Sequence, residues 1–158
     1  MAFTERFSDF ICEGDSITCE VAGFKIVARI ARDDCPDAPD ERQDGFWPSL
    51  YKDAPGFIGP GSNHRRRFAD AQARAEAVME AWRKDEWFYC GVVLSIALEG
   101  VILDADAASL WGIETNYPYG DNAYLTEAAQ ELLPEALATG IAAARRLCAA
   151  LDTSPARA

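Results

Sequence analysis

The sequence predicts an α+β fold: a mainly antiparallel sheet of about five strands with two helices packed on one face. Three observations predict it. Two stretches read as hairpins around a two-residue turn: Ser16 to Ala31, with one apolar and one mixed face, and Phe88 to Leu103, which opens with a largely apolar central strand. Two others, 67–84 and 123–151, carry apolar residues at spacings of three and four. The order that results is strand, strand, long loop, helix, strand, strand, strand and a long C-terminal helix. With 158 residues and 49% hydrophobic content, the chain is long enough to bury a core and fits a single domain, 1–158.

The first hairpin sets Ile17, Cys19 and Val21 against Thr18 and Glu20. It then sets Phe24, Ile26, Ala28 and Ile30 against Lys25, Val27 and Arg29. A two-residue turn at Ala22-Gly23 places Glu20 opposite Lys25, a structural use for both charges. Residues 3–12 read as a short helix or a loose start. Residues 33–66 carry five Pro and four Gly, keep no period, and read as a long acidic loop with Phe46, Trp47, Tyr51 and Phe57 packing part of it down.

The first helix places Phe68, Ala71, Ala75, Val78, Met79 and Trp82 on one stripe, with Glu80 and Lys84 as an i,i+4 pair. Phe88 to Leu98 reads as a central strand, and Glu99-Gly100 turns it back into Val101 to Leu103. Asp104 to Ala107 reads as a bulge or loop, and Ser109 to Glu114 as a further strand that includes Trp111. The last helix carries Leu125, Ala129, Leu133, Ala136, Ile141, Ala144, Cys148 and Leu151 as a stripe. It passes through Pro134 as one kinked helix or two end to end. Asp121 and Asn122 are natural N-cap residues.

Composition narrows the function. There is one His, no closely spaced Cys pair, no nucleophile elbow, and no phosphate loop with its Lys. No cofactor or structural zinc site is expected, and catalysis is not the leading reading. Five scattered Cys suit a reducing cytoplasm, with Cys90 and Cys148 as core fillers. No segment is apolar for long enough to span a membrane. The net charge of −11 argues against direct nucleic-acid binding, and His64 to Arg67 form the only basic cluster.

Charge is unevenly placed. Residues 85–144 hold ten acids and no Lys, Arg or His. Within that block Glu127, Glu131 and Glu135 fall at i, i+4 and i+8, a row of carboxylates about 6 Å apart on one side of the helix. Like charges at that spacing oppose helix formation. Such a row can imitate nucleic-acid phosphates and attract a basic partner. Glu114, Asp121, Asp104 and Asp106 extend the candidate surface, with Tyr119 as an aromatic anchor and Trp111 as another if exposed. The competing reading is a small-ligand or carboxylate-enzyme site built from Asp104, Asp106 and Glu114, with His64 as a further candidate. A third is self-association through sheet edges; the oligomeric state stays open.

Residues 85–137 resemble a small domain found in uncharacterised proteins of bacteriophages, prophages and plasmids. The resemblance rests on "AWRKDEWFYCG", "ASLWGIE", "DNAYLTE" and "ELLPEAL". It implies a setting, a mobile element in a bacterial cytoplasm, and assigns no catalytic residue. In that setting, the acidic surface suggests an accessory protein that inhibits a basic nucleic-acid-handling host protein, such as a CRISPR or restriction component.

Overall fold

A computed structural model describes residues 2–153. It contains strands β1 (Ser16–Val21), β2 (Phe24–Arg32), β3 (Phe88–Leu98) and β4 (Val101–Thr115). Its helices are α1 (Pro39–Arg42), α2 (His64–Arg83) and α3 (Ala123–Asp152). The strands form one antiparallel sheet in the order β1-β2-β3-β4, four strands where about five were expected. The chain divides into two compact units. Asp34–Phe88 form one, and the segments on either side of it form the other.

In the sheet unit the register follows from the turns. Ala22 and Gly23 both take positive φ, as do Glu99 and Gly100, the signature of a tight hairpin turn whose twist matches its strands. Glu20 therefore lies opposite Lys25, as the alternation predicts. Cys19, Ile26 and Ile96 line up across three strands, as do Ile17, Ala28 and Leu94. All six are buried and form one continuous apolar face.

β4 corrects the sequence reading. Asp104 to Ala107 do not break the strand, so the two expected strands are one of 15 residues. It runs beside the 11-residue β3, and the surplus is taken up locally. Ala107 and Ala108 are both buried in succession, and Gly112 takes φ 76°, both marks of bulged strand. Alanine and aspartate carry little strand propensity of their own; here pairing with a neighbour overrides it.

α3 is a single helix of 30 residues that continues through Pro134. It packs along β4 and reaches β2. Leu125, Ala128, Ala129, Leu133, Ala136, Gly140 and Ala143 form its buried side. Thr139 donates to the Ala107 carbonyl, and Gly140 lies so close to Ile96 that any Cβ there would collide with the Ile96 side chain. Beyond Ala143 the stripe continues but burial does not. Leu147, Cys148 and Leu151 are exposed, so Cys148 is not a core filler. Cys90 is fully buried, beneath the Thr115 hydroxyl.

Residues 3–12 form neither a helix nor a loose end. They run as an extended strap along α3, with Phe3 and Ile11 buried. Gln130 receives the Ala2 N–H and donates to the Phe3 carbonyl, and Thr126 receives the Phe7 N–H.

In the other unit, the Pro/Gly-rich segment is ordered by its own contacts. Pro39 to Arg42 make one helical turn, with the Glu41 carboxylate accepting the Ala38 N–H. Arg42 donates to the carbonyls of Cys35 and Asp37. Phe46 and Trp47 meet edge to face, while Tyr51 stays 80% exposed. α2 starts three residues earlier than its apolar period suggests, at His64. It ends with the Asp85 N–H on the Trp82 carbonyl and the Glu86 N–H on the Ala81 carbonyl, the double bond of a Schellman cap. Trp87 is buried and donates to the Val78 carbonyl.

Candidate functional site

The outer side of α3 places Glu127, Glu131 and Glu135 in one exposed row, opposite the buried Ala128, Ala129 and Ala136. Helix dipole does not explain them. The first turn of α3 holds no acid, and all three lie beyond it, where the favourable field of the helix end has faded. Nor does pairing explain them: none of the three makes an ion pair among the described residues. Glu80 shows the contrast, holding Lys84 at 3.0 Å one turn away.

Around the start of α3 stands an exposed aromatic rim. Tyr119 and Tyr124 are 48% and 46% exposed, and Asp121 is exposed beside them. Asp121 keeps its carboxylate on the Ala123 N–H and serves as the local cap. Asn122 does not cap the helix with its side chain. It is buried and turned the other way. Its Oδ1 accepts the Asn116 N–H, and its Nδ2 donates to Asn116 Oδ1 and to the Asp9 carbonyl. Asn116, at φ 60°, in turn accepts the Ile11 N–H and donates to the Ile11 carbonyl. This clamp holds Phe10, exposed between two clamped residues, at the same end as Tyr119 and Tyr124. Tyr124, Phe10 and the clamp were not visible as site residues in the sequence. Tyr124's position off the apolar stripe was the one available signal.

Trp111 is 47% exposed, not core. Its indole lies over Gly91, where no side chain would fit, and donates to the Ser109 hydroxyl. Glu114 is exposed as a residue, while desolvation of its carboxyl raises its pKa above the ordinary carboxylate value.

The structure does not bring Asp104, Asp106 and Glu114 together. Nine residues of bulged strand separate Asp104 from Glu114, a span of up to about 30 Å. Asp104 instead accepts the Asp106 N–H. Among the described residues no group of His, Cys, Asp or Glu is arranged to hold a metal ion. No described helix is long and apolar enough to cross a membrane.

Comparison with protein-family models, with curated proteins and with solved structures finds no match.

Proposed function

We propose that this protein is an acidic accessory protein of a phage or other mobile element. It binds and inhibits a basic nucleic-acid-handling host protein, of the class to which CRISPR and restriction effectors belong. The observation that carries this reading is the exposed mid-helix row of Glu127, Glu131 and Glu135, which neither a helix end nor a basic neighbour explains.

Magnitudes limit what the row does alone. Three charges over about 12 Å of helix compare with one per about 3.4 Å along a DNA strand. The row is therefore sparser than a phosphate backbone. Asp121, Glu114, Asp104 and Asp106 must add to the field that steers a basic groove toward the protein. Charge supplies approach and register; Tyr119, Tyr124 and Phe10 supply apolar area for a contact with a protein.

A pull-down from a bacterial lysate tests this reading, with wild type beside Glu127/Glu131/Glu135→Lys. The expected result is a basic nucleic-acid-binding protein held by the wild type alone and released by salt or added duplex DNA. Equal recovery by both proteins contradicts it.

One observation favours a second reading, self-association. Val101 and Ile102 at the β3–β4 turn and Leu147 and Leu151 on α3 are large apolar residues left exposed. Light scattering across a concentration series distinguishes it.

A further inference from the structure

The Asp34–Phe88 unit contains a cavity of about 370 Å³ that is open to solvent on one side, within the size range of small-molecule sites. Leu50, Phe57, Ile58 and Pro60 give it apolar walls, and its ionisable lining residues are Lys52 and His64. No carboxylate lines it, although acids outnumber bases 26 to 15 in the chain. We propose that this cavity binds a small organic anion, an apolar body carrying one phosphate or carboxylate group.

The walls are held in place before any ligand arrives. Arg67 donates to the carbonyls of Ile58, Gly59 and Ser62, tying the loop to the first turn of α2. Ser49 receives the Ile58 N–H and donates its own to Gly56, fixing the opposite wall. Arg67 is thus committed to the loop, with its guanidinium 3.5 Å from His64 Nδ1, and Lys52 is the cation left to meet a ligand, with the His64 ring beside it as a hydrogen-bonding group. The helix setting adds to their effect. His64, Arg65, Arg66 and Arg67 open α2 with no acid in its first turn, where the helix end already carries positive potential. An anion in the cavity relieves that accumulation; a neutral ligand does not. The apolar walls separate this site from a general phosphate surface. A bare phosphate leaves them in water.

His64 is the only histidine in the chain, so its ring resonances report on the cavity without ambiguity. The full-length protein is titrated with phenyl phosphate, inorganic phosphate, benzyl alcohol and a short single-stranded oligonucleotide, and the His64 ring signals are followed by NMR at fixed pH. Phenyl phosphate shifts them saturably. Inorganic phosphate binds at least about tenfold more weakly, because the phenyl group is what the apolar walls bury, and benzyl alcohol gives no saturable shift. Lys52→Met weakens phenyl phosphate by about tenfold or more through loss of a charge-assisted contact. Lys52 is exposed, so the variant keeps its melting temperature, and that is checked alongside. The absence of a saturable shift, an unchanged affinity in Lys52→Met, or tighter binding of the oligonucleotide than of phenyl phosphate overturns the proposal.

Discussion

Asn122 holds Asn116 at two points: its Oδ1 accepts the Asn116 backbone N–H at 2.9 Å, and its Nδ2 donates to Asn116 Oδ1 at 2.9 Å. The same two amides carry the backbone of Asp9 and Ile11. The turn between β4 and α3 is therefore a clamp on the N-terminal strap. Removing the Asn122 side chain leaves the part-buried Asn116 N–H and the Asp9 carbonyl without their partner, each a cost of up to about 1–3 kcal/mol where water does not reach. Asn122→Ala is expected to destabilise the fold by about 2–4 kcal/mol in urea unfolding. It should also speed hydrogen exchange at the Ile11 amide more than at β3. A loss within about 0.5 kcal/mol would show that water replaces the clamp.

Gly140 offers a test in which two rules disagree. In an open helix Gly→Ala gains up to about 1 kcal/mol. Here the new Cβ meets the Ile96 side chain, Cδ1 first. Overpacking of this kind costs about 1–3 kcal/mol, so Gly140→Ala should destabilise. Ile96→Val removes that Cδ1, and the double variant should recover part of the loss. Additive effects of the two substitutions would contradict the contact.

Glu114 sets a pH dependence. Its folded pKa lies above the ordinary carboxylate value because of desolvation. A raised carboxyl pKa favours the folded state below the unfolded pKa, and that advantage is lost as pH rises through the folded value. Glu114→Gln should therefore raise the melting temperature at neutral pH. The difference should vanish below about pH 4, where both states are protonated. The residue is exposed, so the effect is small. A Gln variant less stable at neutral pH would show that the charge is favourably held.

Glu131 separates stability from binding. Lysine there turns two like-charge i,i+4 neighbours into two opposite-charge pairs, a gain of roughly 1–2 kcal/mol for α3. Glu131→Lys is expected to raise the melting temperature while weakening partner binding. A substitution that changes neither leaves the row a solvated surface.

Much of the fold was legible because its signals are local. The Ala22-Gly23 and Glu99-Gly100 turns, the buried run of β3 and the stripe of α2 each declare themselves within about a dozen residues. What escaped depends on distant partners. Asn122 read as a helix cap because its real acceptor, the Asp9 carbonyl, is 113 positions away. Asp104 to Ala107 read as a bulge or loop between two strands because Ala and Asp do not propagate a strand; β3 does that for them. Periodicity marks Leu133 and Leu151 alike as apolar face, yet the sheet covers the first and leaves the second 61% exposed. The acid row was legible as a row. Its exposure and its lack of ion pairs needed the structure.

The central claim is that the α3 acids occupy a basic partner's nucleic-acid site. The most direct measurement is the partner's DNA or RNA affinity in the presence of three proteins: wild type, Glu127/Glu131/Glu135→Lys, and Glu5/Asp44/Asp53→Lys as a charge-matched control on exposed acids elsewhere. Competition by the wild type and the control, but not by the α3 variant, is the predicted result. Equal competition by all three, or binding of the partner that leaves its nucleic-acid affinity unchanged, would contradict the account.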